Sequence, residues 1–319
     1  MIGRRSFLLM GAAVAMPSVV RAQTGIRIAV LTPGPTQWSQ AIFTSELERL
    51  GRRVGEGFAI DIVSAAGRLD RLTRLARDIA DRRPQVIVAV NTPATRAMAS
   101  ATRTIPIVAG IVGDPIGAGF AKTLSKPGGN ITGVSNLSGN MTSKRTAILL
   151  ELVPGASRIA LFLHPDDPIK VPQLRDIEAQ SGNLGIETRA FPMRSEAELP
   201  RALDMARAWK AQGLVRLAGQ AFAIGAATAR LATEWRLPSM MTQRSDVAAG
   251  GLVSYFADHK ELWRRAAAQV DAILKGQAPG ELPFEQPRRF ELVVNIKTAR
   301  LLGLTIPPSV LVSADEVIE

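Results

Sequence analysis

Short apolar, β-branched runs recur along the chain, separated by longer stretches in which apolar positions return at helical spacing. Runs of about four to eight such residues read as buried strands, and their alternation with helices predicts parallel α/β sheets. The first half predicts strands at 26–31, 58–63, 86–90 and 105–111, with helices over 38–53, over 69–81 and from Pro93. The second half predicts strands at 157–163, 185–191, 213–217 and 237–241, with helices over 171–181, 196–209 and 220–235. A strand at 252–255, a helix over 260–275 ended by Gly276, a strand at 290–295 and a helix over 296–302 capped by Gly303 follow.

The two halves share a register. Ile105-Pro106 and Leu237-Pro238, Asp114 and Asp246, and Gly119 and Gly251 are each 132 residues apart. Two similar α/β units imply a cleft between them. Ligands of open α/β sheets bind beyond the carboxyl ends of the strands, and two such ends facing each other would hold a ligand from both sides by hinge closure.

The N-terminus changes where this molecule is expected to work. Arg4-Arg5, an apolar Ala-rich stretch to Val20 and the Val20-Arg21-Ala22 site read as an export signal over residues 1–22, of twin-arginine type, too short to span a bilayer. The chain has no cysteine, which excludes disulfides, thiolate metal sites and a lipoprotein anchor. The expected product is a soluble periplasmic monomer. Net charge is +11, or +8 without Arg4, Arg5 and Arg21. The cations are scattered on helices and aromatics are only 5%, so no nucleic-acid surface is expected and the charge reads as solvated surface.

Enzyme signatures are absent. The first strand–helix turn lacks Gly-x-Gly-x-x-Gly, and neither a phosphate-binding Gly-Lys-Ser/Thr loop nor Gly-x-Ser-x-Gly occurs. His164 and His259 are the sole histidines. His164-Pro-Asp166-Asp167 reads as a loop rather than a metal or acid–base cluster, and His259 as a surface residue. No catalytic residue, metal or cofactor is expected.

Several segments together resemble a known family: Asn91-Thr-Pro-Ala94, Val112-Gly-Asp-Pro-Ile-Gly-Ala-Gly119, Pro127-Gly-Gly-Asn-Ile-Thr-Gly-Val-Ser135 and Leu149-Leu-Glu-Leu-Val-Pro154. Phe290-Glu-Leu-Val-Val-Asn-Ile-Lys-Thr-Ala299, Leu302-Gly-Leu-Thr-Ile-Pro-Pro-Ser309 and Ala314-Asp-Glu-Val-Ile-Glu319 add to them. This set is similar to the ABC-transporter substrate-binding proteins that include tryptophan- and phenylalanine-binding relatives, and it covers essentially the whole chain beyond the signal. The resemblance implies the class I periplasmic-binding-protein fold: two Rossmann-like lobes with parallel sheets joined by a three-crossover hinge. Crossovers are then expected near 133–135, 251–255 and 282–285. Lobe one would be 26–132 plus 254–281, and lobe two 133–253 plus 282–319. It implies capture of an amino acid or similar amphiphilic solute for an inner-membrane permease and its ATPase. A receptor subunit for a membrane sensor is the alternative. An exported α/β enzyme with Asp114 as base is a further one, and a DNA-binding regulator lacks a helix-turn-helix before Ile26.

Candidate ligand contacts follow from strand ends and from that resemblance. Thr92, Ala94 and Thr95 open a helix, with Thr92 as its expected N-cap and Pro93 in first position, and free N–H groups there favour a carboxylate. Asp114 follows a buried strand and can take a ligand ammonium. Asp246 is its counterpart in the second half. Ser135 and Asn136 lie past the first crossover, Gln220 starts a helix in lobe two, and Tyr255, the sole tyrosine, lies at the second crossover. Gln37 and Trp38 follow the first strand, with Trp38 expected to pack on its own helix.

Overall fold

The computed structural model describes residues 25–34, 39–167, 169–219 and 224–319. The expected export signal, Gln37, Trp38 and Gln220 lie outside the described residues. The first half builds β1 (Ile26–Thr32), α1 (Gln40–Arg49), β2 (Phe58–Ser64), α2 (Leu72–Asp81), β3 (Val86–Val90), α3 (Asn91–Ala101), β4 (Ile107–Val112) and β5 (Ile131–Ser135). These strands form an all-parallel sheet in the order β2-β1-β3-β4-β5. The second half builds α4 (Thr142–Leu152), β6 (Arg158–Leu163), α5 (Lys170–Leu184), β7 (Glu187–Pro192), α6 (Leu199–Ala208), β8 (Gly213–Arg216), α7 (Gly225–Glu234), β9 (Ser239–Met241), α8 (Arg244–Ala248) and β10 (Val253–Ala257). Its sheet runs β7-β6-β8-β9-β10, the same winding as the first, and continues into β11 (Phe290–Asn295) and β12 (Glu316–Ile318). The repeat read from the 132-residue offset is therefore a repeat of topology.

Both faces of each sheet are covered. Ile28, Val30, Val86, Val88 and Val108 pack on Phe43 and Leu47 of α1 and on Trp263 of α9 (His259–Leu274). Leu31, Ile87, Ile107 and Ala109 pack on Leu72 and Ile79 of α2 and Met98 of α3. In the second sheet Ile159, Leu161 and Val215 meet Leu149 and Leu152 of α4, while Phe162 and Leu214 meet Leu199 and Leu203 of α6. Burial on both sides is why the central strands read as unbroken apolar runs instead of alternating ones.

The chain passes between the sheets three times: from β5 to α4, from β10 to α9, and from Glu285 to β11. Expected boundaries at 132/133, 253/254 and 281/282 fall short of these points. β5 pairs with β4 as far as Ser135, β10 pairs with β9 and β11, and Glu285 bridges Val134 of β5. Backbone pairing, not the glycines at 133 and 251, fixes where the chain leaves a sheet. The second sheet also departs from the parallel expectation at one pair, because β10 and β11 are antiparallel. Between them the chain visits the other sheet as α9 and returns through an extended segment, so no crossover helix turns β11 parallel.

α9 fastens the crossing segments. Gln269 Nε2 donates to the carbonyls of Gly133 (3.2 Å) and Pro283 (2.8 Å). Arg265 pairs with Glu285 at 2.9 Å and also with Glu261. Trp263 is buried edge-on to Phe43 and lies over Gly110, where a Cβ would come 2.5 Å from the indole. Beyond β11, α10 (Ile296–Leu302) and α11 (Pro308–Ser313) pack against the second sheet through Ala299 and Val310, and β12 extends that sheet's edge.

Candidate functional site

The carboxyl ends of β3, β4 and β5 form one face of the cleft, and backbone strain collects there. Asn91, Ile111 and Leu137 hold positive φ values of 64°, 62° and 55°. For a β-branched residue such as Ile111 this is a true outlier, of order 1–3 kcal/mol, and such outliers concentrate at ligand clamps. Ile111 occupies the register shift between β4 and β5, which turns Gly113 and Asp114 out of the sheet. Asp114 is partly exposed, and its Oδ1 accepts the Gly117 amide at 2.8 Å. α3 begins at Asn91 with Val90 in the N-cap position and no side-chain cap, so Thr92 is not the cap expected from sequence. The first N–H groups of α3, next to Thr92, lack intrahelical acceptors as at any helix start, and no N-cap side chain accepts from them. Asn91 Oδ1 is buried without a hydrogen-bond partner.

The second face is built from the ends of β6, β8 and β9. Arg216 is 7% exposed; its Nη1 donates to Thr242 Oγ1 at 2.8 Å and lies 3.9 Å from Asp246 Oδ2. Asp246 is 5% exposed, on α8 against Gly225 at the start of α7, and its Oδ2 accepts no hydrogen bond. Burial pushes the Asp246 carboxyl up from its ordinary range, against the pull of Arg216. Burial likewise lowers the Arg216 guanidinium, and lowers Arg145 to about 10. Asp167 is buried beside them and accepts the Ile169 amide. Burial also lowers the His164 imidazole, which accepts the Asp166 amide. Among the described residues no group of three or more His, Asp or Glu side chains is placed to hold a metal ion.

The two faces meet across a recess of about 330 Å³. Thr92, Arg96, Asp114 and Gly117 line it from the first face; Ile169, Val171, Pro172 and Arg175 line it from the second. A volume of that size suits a small molecule. Gly113 makes the approach possible: a Cβ there would collide with the Ile169 side chain and lie 2.6 Å from Ser138 Oγ. Arg216, His164, Asp167 and Gly219 line a narrower recess on the other side of the start of α5.

Of the residues singled out from sequence, Thr92 and Asp114 share the wider recess. Ala94 and Thr95 are fully buried behind it, and Thr95 Oγ1 donates to the carbonyls of Asn91 (2.8 Å) and Ala89 (3.2 Å). Ser135 is buried and its Oγ accepts the Leu137 amide, while Asn136 Oδ1 accepts the Ser138 amide. Both organise the turn leaving β5. Asp246 lies on the second face, beside Arg216. Tyr255 stacks on Phe290 at 5.4 Å within the second sheet, and its carbonyl accepts Arg145 Nε. Sequence reasoning passed over Arg216, Asn91, Arg96 and Arg175. His259 is not a surface residue: it is half-buried edge-on to Phe256, and burial lowers its pKa to about 4.

Two sheets of identical winding, three crossings and a polar recess between strand ends define a bilobal solute-binding protein. The family model described as "ABC transporter substrate binding protein" matches residues 10–318, and the chain belongs to that family. It is a substrate-binding protein of an ABC transporter. A "Tyrosine-binding protein" of Clostridioides difficile (strain R20291) is 24% identical over 299 residues, covering 89% of this chain and 82% of that protein. A Streptococcus pneumonia structure, an ABC domain in complex with L-Trp, is 25% identical with a TM-score of 0.84, covering 92% of this chain and 100% of that one. A conserved domain protein from Vibrio cholerae is 26% identical with a TM-score of 0.84, covering 92% and 99%.

Proposed function

We propose that this chain captures an amino acid, with an aromatic or apolar side chain, in the recess between its two sheets. The observation that carries the reading is the pairing of Asp114 with the uncapped start of α3 at Thr92 on one recess wall. An ammonium suits Asp114 and a carboxylate suits free N–H groups at a helix start. Support also comes from the tyrosine and tryptophan named for two relatives. Arg96 and Arg175, which line the same recess, are proposed as further polar contacts, and Arg216 with Asp246 as a polar pair that the ligand reaches only if it extends into the narrower recess.

In this reading lobe one is 25–135 plus 258–285 and lobe two is 136–257 plus 286–319. The protein is exported by its N-terminal signal, works in the periplasm as a monomer, catalyses nothing, and hands its ligand to a permease driven by a separate ATPase. A thermal-shift screen of the mature chain against the amino acids and a set of sugars tests it. Ligands that bind the folded state raise the melting temperature by mass action. Tryptophan, tyrosine or phenylalanine should give the largest rise. A rise with sugars alone would remove Asp114 from an ammonium-binding role.

A further inference from the structure

A second recess, of about 660 Å³, lies at the opposite pole of the second sheet, where β6, β8 and β9 begin. Its rim carries Arg158, Arg207, Lys210 and Arg236, with Trp235 and Glu234 beside them. None of the four cations has a carboxylate within ion-pair distance among the described residues, so their charges on this rim are not compensated locally. The one acid on the rim, Glu234, is engaged by Arg230 at 3.1 Å. Arg158 Nε donates to the Lys210 carbonyl at 3.0 Å, which orients the guanidinium.

Lys210 and Arg236 add a second observation. They hold positive φ values of 61° and 57° just after α6 and α7, positions that favour glycine. Each closes its helix with paired backbone bonds, Lys210 N to Arg207 O and Ala211 N to Ala206 O, then Arg236 N to Thr233 O and Leu237 N to Ala232 O. A cation near a helix C-terminus is favoured by the dipole. That accounts for each position singly. It does not account for four uncompensated cations converging with an indole on one concave surface larger than the inter-sheet recess.

We propose that this pole is a second binding site, for a phosphate-bearing anion. Guanidinium groups take phosphate oxygens in bidentate fashion, and Trp235 offers an apolar wall for the remainder of the molecule. The site lies at the amino ends of the strands, so it can be filled while the inter-sheet recess is occupied.

The test is a variant carrying Arg207→Ala, Lys210→Gly and Arg236→Gly, in which glycine suits the left-handed backbone and the fold is retained. A control of equal charge carries Arg77→Ala, Arg82→Ala and Arg103→Ala, all exposed and on the first lobe. Two probes are used at low ionic strength: inorganic pyrophosphate by titration calorimetry, and phosphatidylcholine vesicles with or without phosphatidylglycerol by co-sedimentation. The expected result is saturable binding of one or both probes, at least tenfold weaker in the Arg207→Ala, Lys210→Gly, Arg236→Gly variant and unchanged in the control. Pyrophosphate binding alone assigns a free phosphate compound, and phosphatidylglycerol binding alone assigns a lipid headgroup. No binding of either probe, or equal weakening in variant and control, overturns the proposal.

Discussion

Asp114 Oδ1 accepts the Gly117 amide, so Asp114→Asn keeps an acceptor for that turn while removing the charge. A charge-assisted hydrogen bond contributes about 1.5–3 kcal/mol, and about 1.4 kcal/mol is tenfold in affinity. Asp114→Asn should weaken amino-acid binding at least tenfold by calorimetry and leave the melting temperature unchanged. His259 makes a separate expectation about pH. Its folded pKa, lowered to about 4, lies below the ordinary 6.5, so the unfolded chain takes up the proton first as pH falls. Stability should be unaffected by this group above about pH 6.5 and should decline between there and about pH 4. Denaturant midpoints against pH check this: His259→Gln should flatten that decline. At this scale sequence singled out Thr92 and Asp114, which line the inter-sheet recess, because strand ends and an Asp-Pro turn mark themselves locally. It missed Arg216 and the burial of His259, since nothing in a sequence distinguishes a surface Arg or His from one covered by another element. It also read Thr92 as a cap, and the left-handed Asn91 moved the helix start.

α9 shows what one element does for the arrangement of lobes. It leaves the second sheet with Asp258 as a true N-cap, accepting the amides of Lys260 and Glu261. It buries Trp263 over Gly110 of the first sheet and ties the crossing segments through Gln269 and Arg265. Trp263→Ala removes the largest fully buried side chain among the described residues and should cost about 3–5 kcal/mol in denaturant unfolding. A loss below about 1 kcal/mol would show that α9 is not seated as described. Long periodic elements such as α9, and apolar β11, were legible to within a residue. α4 was not, because its Thr142-Ser-Lys-Arg opening hides its apolar face. α8 and β12, of five and three residues, are too short to show a period; β12 exists through pairing with β11.

At the scale of the molecule, the two-sheet plan followed from the 132-residue repeat, but the crossing points did not, since they depend on which strand pairs with which. Gly113 couples the two faces, and Gly113→Ala would press on Ile169 and Ser138. That variant should lose ligand affinity while each sheet stays folded, seen as weaker binding with an unchanged far-ultraviolet circular dichroism spectrum. The central claim is that one amino acid is held between the sheets. Titration calorimetry of the protein with L-tryptophan and with L-tyrosine tests it most directly. One ligand per chain, with saturable binding of at least one of the two that Asp114→Asn weakens, is the expected result. No binding of any amino acid, or binding indifferent to Asp114→Asn, would contradict it.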